Sequence, residues 1–166
     1  IYFHFMLKLI LIRHGKAAKS SLSGKDFDRE LNKKGTAQIN QVGFILERDA
    51  YHIDQLISSS AQRTTETAEI LNFYIGYLKI NFDKQLYLVD KNAILHHIID
   101  KGKGDTILFV GHNFGISEFA SSITGEDYSM STGMLIEIAF DLEDWYQLKW
   151  GCGKVVRIIV PKVQAF

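Results

Sequence analysis

The sequence predicts an α/β fold, a three-layer sandwich whose central sheet is mostly parallel with antiparallel strands at one edge. Three observations predict it. Two short apolar runs, residues 7–12 and 106–110, are dominated by branched side chains, as in strands buried on both faces of a parallel sheet. Helical patterns separate such runs through the first two thirds of the chain, and this alternation is the mark of parallel sheets. The last third changes to three runs, residues 134–140, 146–150 and 155–160, joined by short polar or glycine turns that make antiparallel neighbours.

With 166 residues, 46% hydrophobic and 23% charged, the chain reads as a single domain with a sizeable core. Lys+Arg and Asp+Glu both number 19, so no basic excess recruits nucleic acid or a membrane surface, and any anion site is a local cluster. The single cysteine, Cys152, forms no internal disulfide, which fits a reducing cytoplasm. It lies between Gly151 and Gly153 and reads as inert. No apolar run approaches the roughly 20 residues that span a bilayer. The N-terminal run also lacks the small-residue cleavage site of a signal peptide. Residues 1–5 precede Met6 without a clear pattern, as an extra edge segment or as sequence foreign to the domain, and His4 is given no role.

The first apolar run stops at Arg13-His14-Gly15. Ligands of open α/β sheets bind beyond the carboxyl ends of the strands. There this chain presents a guanidinium, an imidazole and a glycine that lets a ligand approach the backbone. Arginine is a rigid fork of donors suited to phosphate, and histidine serves as a neutral nucleophile near pH 7, so the triplet points to phosphoryl chemistry. Residues 16–29 read as a mobile polar loop over this strand end. Asn32 is the expected N-cap of a helix running to about Arg48, with Ala37, Ile39, Val42, Ile45 and Leu46 facing inward.

Residues 54–58 form a second buried strand, and Ser60 is the expected cap of the helix after it, which places Arg63 in the first turn. Free amides, the positive end of the helix dipole and a guanidinium then converge on one anion site. A third strand is expected near residues 79–82, and a short helix over 92–101 ended by Gly102 and Gly104. Its adjacent His96 and His97 point to different sides, and neither they nor His52 stand at a metal-ligand spacing. The second apolar run ends in Gly111-His112-Asn113, with Asn113 the expected cap of a helix over 115–123. Two strand-end histidines and a helix-start arginine thus form one constellation. Gly24-Lys25 lacks the upstream glycine of a P-loop, and Gly115-Ile116-Ser117 lacks the following glycine of a nucleophile elbow, so neither chemistry is supported.

An ordered set of motifs carries a resemblance. It comprises Leu11-Ile12-Arg13-His14-Gly15-Lys16-Ala17, Asp26-Phe27-Asp28-Arg29-Glu30-Leu31 with Gly35, and Ser59 to Ala68, which resembles Ser-Pro-Ala-x-Arg-x-x-x-Thr-Ala. Leu86-Tyr87-Leu88, Val110-Gly111-His112-Asn113, Thr132-Gly133 and Trp145 follow in order. Together they resemble the histidine phosphatase superfamily, of phosphoglycerate mutase-like fold, and within it the small SixA-type phosphohistidine phosphatases. Two positions depart from the pattern: Ser60 and Phe114 stand where the family usually has proline.

The resemblance implies that His14 is the nucleophile and forms a phosphohistidine intermediate. Arg13, Arg63 and His112 would hold the phosphoryl oxygens and stabilise the transition state, with no metal or other cofactor needed. Gly15 and Asn113 would border the phosphate, as would Lys16 and Thr132 if they are not simply solvated loop. Mutases and many monoesterases of the superfamily carry a Glu acid and an inserted lid between the Arg63 helix and His112, and no matching Glu follows Tyr74. The expected partner is therefore a phosphohistidine-containing protein, in cytoplasmic signal transduction, with no nucleic acid and no membrane. A small-molecule phosphomonoester phosphatase is the alternative, with Asp28, Asp83 or Asp90 as acid. An inactive phosphoprotein-binding module is the third reading.

Overall fold

The computed structural model describes residues 6–164, so residues 1–5 and their suggested edge segment lie outside it. Strands and helices alternate from β1 (Leu7–Arg13) through α1 (Lys33–Arg48), β2 (Gln55–Ser59), α2 (Gln62–Ile75) and β3 (Ile80–Asp83). They continue with α3 (Lys91–Lys101), β4 (Thr106–Gly111), α4 (Gly115–Thr124), β5 (Leu135–Phe140) and β6 (Gly153–Ile159). The strands form one sheet of order β3-β2-β4-β1-β5-β6. The pairs β3–β2, β2–β4 and β4–β1 are parallel, and β5 and β6 add an antiparallel edge.

Burial on both faces decides where β1 lies. Leu7, Leu9 and Leu11 join Phe109, Ile116 and Phe119 beneath α3 and α4, while Ile10 and Ile12 join Ile39, Val42, Leu46 and Leu71 beneath α1 and α2. Each such side chain contributes about 1.5–3 kcal/mol when removed from water, so an interior strand between β4 and β5 is the favoured place for this run. Arg13 is level with Gly111 in the β1–β4 register, so His14 and His112 leave the sheet side by side. Among the described residues no helix is long and apolar enough to cross a membrane.

Helix α1 begins as expected, the Asn32 side chain accepting the Gly35 amide at 2.9 Å. Its buried face is Gly35, Gln38, Ile39, Val42, Gly43 and Leu46, with Ala37 and Ile45 half-buried. Gln38 turns inward because both ends of its amide are used: it accepts from the Lys16 amide and donates to Thr132. Gly35 is needed for a close approach, since a Cβ there would stand 2.0 Å from the Lys16 carbonyl oxygen.

Four expectations are corrected. The cap of α2 is Ala61, not Ser60, because Ser59 one step upstream accepts the Ala61 amide. The cap of α4 is Phe114, since the Asn113 side chain is turned to Met130 and Ser117. Residues 146–150 are not a strand. Asp144 and Gln147 form a capping box around a single 3-10 turn, Trp145–Gln147, and Trp145 Nε1 donates to the Gly104 carbonyl at 2.7 Å. Finally, the stretch over 16–29 is not a free loop: Ala17 bridges Leu31, Ala18 N donates to Glu30 O, and a 3-10 turn forms at Asp26–Asp28.

Candidate active site

The sheet brings Arg13, His14, Arg63 and His112 together from three chain segments. His14 follows β1, and its imidazole is 93% buried, with 7% relative exposure. Two neighbours fix its tautomer independently. His14 Nδ1 lies 2.7 Å from the Gly15 carbonyl oxygen, which can only accept, so Nδ1 carries the proton. Arg63 Nε, which can only donate, lies 3.2 Å from Nε2. Nε2 therefore holds a free lone pair under a guanidinium, the geometry of a neutral imidazole nucleophile.

His112 leaves β4 and meets His14 edge to face, with ring centroids 5.4 Å apart. Its Nε2 lies 2.9 Å from Ser59 Oγ. Ser59 is fully buried, and its oxygen also accepts the Ala61 amide. Nδ1 of His112 is buried without a partner, as is Nε of Arg13. Buried polar atoms without partners are costly, and a bound oxyanion would satisfy those that carry a proton. Arg13 is anchored by Nη1 to the Met130 carbonyl at 2.9 Å.

Burial pushes the His14 imidazole down to about 4, and the charges of Arg63, Arg13 and Arg29 act in the same direction against the Gly15 hydrogen bond. Burial likewise pushes His112 down to about 3, with His14 and Arg63 adding to it. Both rings are thus neutral at physiological pH. Protonation of Nε2 removes the lone pair, so the unprotonated His14 Nε2 is retained above about pH 4 and lost as pH falls through it. An unfolded chain takes up these protons near pH 6.5, so acidification from there towards pH 4 favours unfolding. In NMR titrations, the ring protons of His14 and His112 are expected to stay constant between pH 5 and 8. A midpoint near 6.5 for either ring contradicts this electrostatic account.

The other anticipated residues occupy different roles. Gly15 N donates to Thr67 Oγ1 and Gly15 O holds His14, so Gly15 orients the His14 imidazole through its backbone. Lys16 and Thr132 sit at the rim, tied together by Gln38, with the Lys16 side chain exposed. The Asn113 amide donates to Met130 O and accepts from Ser117, fixing the 130 loop. Asp28 accepts from Ser23, Asp83 from Gln85 N and Lys101, and Asp90 caps α3 through Ala93 N. Among the described residues no group of three or more His, Cys, Asp or Glu side chains gathers as metal ligands would.

The carboxylate that does reach the site is Asp26, to which sequence reasoning gave no role. Its Oδ2 accepts from Arg63 Nη2 at 3.0 Å and from the Tyr87 hydroxyl, and its Oδ1 accepts from Arg29 Nε at 2.8 Å. The Tyr87 hydrogen bond, followed by the Arg63 and Arg29 interactions, holds it down at about 2 against the effect of burial. Tyr87 was missed as well. Its ring packs on His112 at 5.4 Å and on Phe27 at 5.0 Å, with the Arg63 guanidinium 5.9 Å from its centre. The available signal is that Asp26 and Tyr87 both fall within the motifs that carry the family resemblance.

Residues 9–87 match the model of the histidine phosphatase superfamily, branch 1. An uncharacterised chloroplastic protein of Arabidopsis thaliana is 32% identical over 136 residues, a match spanning 75% of this chain and 62% of that protein. Among solved structures, a chain assigned as the phosphohistidine phosphatase SixA of Nakamurella multipartitia superposes with TM-score 0.83 at 20% identity, covering 95% of this chain and 98% of that one. The protein histidine phosphatase SixA in complex with tungstate gives 0.79 at 17% identity, covering 93% and 97%. At these identities the structures speak for the fold, and this chain shares it over nearly all of its described length.

Proposed function

We propose that the protein is a phosphatase that hydrolyses phosphohistidine on a protein through a covalent phosphohistidine at His14. The observation that carries the reading is the pairing of a proton-free His14 Nε2 beneath Arg63 with the orphaned, buried Nδ1 of His112 and Nε of Arg13. Phosphoryl transfer needs a nucleophile in line and cations or donors around the equatorial oxygens, and these four side chains supply both. The His14 Nε2 lone pair forms the new P–N bond as the substrate's P–N bond breaks. Water then attacks phosphorus, and the electron pair of the His14–phosphorus bond returns to Nε2.

The leaving group selects the substrate class. An alkoxide requires a proton from a well-placed acid. The carboxyl in this site, Asp26, is held ionised at about 2, while Asp28, Asp83 and Asp90 are engaged elsewhere. The ring of a phosphohistidine takes up its proton from water and departs as neutral imidazole, so this site is adequate for it.

The mouth supports a protein substrate. Phe114 is 80% exposed and Leu88 52% exposed, each one or two residues from a ring of the site. The segments that carry them meet, since a Cβ on Gly115 would stand 1.9 Å from Val89 O. Apolar side chains at the rim suit a protein surface. In phosphate-release assays, kcat/KM is expected to favour a histidine-phosphorylated protein over an alkyl phosphomonoester by about 100-fold or more, the usual worth of a missing general acid. Equal rates, or preference for the ester, contradict the reading.

A further inference from the structure

Arg63 is 3% exposed at its side chain and donates through all three of its nitrogens. Nη1 meets the Asp26 backbone oxygen at 2.8 Å, Nη2 meets Asp26 Oδ2 at 3.0 Å, and Nε meets His14 Nε2 at 3.2 Å. A guanidinium is planar and rigid, with one fork at its two terminal nitrogens and another along its Nε edge. Asp26 fills the terminal fork twice over, once with its backbone and once with its carboxylate. With that fork pinned, the plane cannot rotate, and the Nε edge is turned to the nucleophile.

Asp26 is itself held from three sides. Arg29 Nε donates to Oδ1 at 2.8 Å while Arg29 Nη1 reaches Ala18 O at 2.8 Å, and the Tyr87 hydroxyl donates to Oδ2. The carboxylate remains 48% exposed, so little of its position is due to burial. Its charge alone is unfavourable here: a carboxylate beside an anion site repels phosphate. Its contribution has to come through geometry.

We propose that Asp26 is a positioning residue that aims the Nε edge of Arg63 at the phosphoryl group on His14. The proposal rests on the phosphatase reading for its catalytic consequence, but its geometric core concerns any tetrahedral oxyanion bound at Arg63. Two opposed effects separate aim from charge. Loss of aim weakens oxyanion binding, whereas loss of a negative charge strengthens it.

The test is calorimetric titration of inorganic tungstate into the wild type, Asp26→Ala, Asp26→Asn, Arg63→Ala and the double variant Asp26→Ala/Arg63→Ala. Phosphohistidine turnover is measured in parallel, and thermal melts confirm folding. Asp26→Ala is expected to weaken tungstate binding and lower kcat by roughly 10- to 100-fold, the scale of a misplaced catalytic group. Asp26→Asn keeps an acceptor for Nη2 and is expected to recover most of that loss. In the Arg63→Ala background, Asp26→Ala is expected to cause no further loss. Unchanged or tighter tungstate binding by Asp26→Ala overturns the proposal, as does an equal loss with Arg63 absent. A wild type that binds tungstate but releases no phosphate refutes the phosphatase reading alone, and the tungstate affinities still decide the role of Asp26.

Discussion

His14→Ala is expected to lower phosphate release by at least about 10⁴-fold, as removal of a covalent nucleophile does elsewhere, while leaving the fold intact. The size follows from what the ring supplies. In the proposed reaction its Nε2 is the atom to which phosphorus becomes bonded, with its proton already placed on Nδ1 by Gly15 O. Binding groups remain in the variant, so substrate still docks, and the loss is expected in kcat more than in KM. Loss of the imidazole removes two hydrogen bonds, to Gly15 O and from Arg63 Nε, and leaves both core clusters untouched. Unchanged circular dichroism with abolished release is the expected pair of results. A variant within tenfold of wild-type rate contradicts covalent catalysis at this position.

Arg63→Ala is expected to cost about 10²- to 10³-fold in kcat/KM, the worth of one preorganised electrostatic stabiliser. Two losses combine. The Nε edge facing His14 disappears, and the Asp26 carboxylate beside the phosphate is left with Arg29 as its arginine partner, because Arg63 donates to its Oδ2 and to its backbone oxygen. Removing Arg63 also removes one of the interactions that hold the Asp26 carboxyl low, so its pKa moves back up. Arg63→Lys restores a charge but not a planar fork, so it is expected to recover only part of the rate. Steady-state kinetics of the three proteins, with Arg63→Lys falling between the other two, is the check. Full recovery by lysine would show that charge alone is sufficient.

Much of this site is legible in the chain because its strands are interior. Residues of β1 and β4 are buried on both faces, so their sequences become continuous apolar runs, and the first polar residues after them mark the sheet end where ligands bind. That logic reaches Arg13, His14 and His112 without any knowledge of contacts. Arg63 is legible from its place in a helix's first turn, and this survives the shift of the cap from Ser60 to Ala61.

What fails has a common cause. Residues 146–150 alternate apolar and polar side chains as a strand would, but the Asp144–Gln147 capping box and the Trp145 bond to Gly104 impose a local turn. Asn113 has the chemistry of a cap, yet a bond to Met130, seventeen residues away, claims its side chain. Asp26 is separated from Arg63 by thirty-seven positions and from Tyr87 by sixty-one. No period or cap rule relates such residues; only the packed fold does. The fold-level pattern is written in periodicity, whereas the support of the catalytic side chains is written in long-range polar contacts.

The central claim is a covalent bond from phosphorus to His14 Nε2. Rapid mixing with a protein phosphorylated on histidine with labelled phosphate, quenched under alkaline conditions where phosphohistidine survives, tests it most directly. The wild type is expected to carry transient label on the peptide containing His14, appearing before free phosphate, and His14→Ala none. Phosphate released at full rate with no label ever on the enzyme, or with label on another residue, would contradict the account.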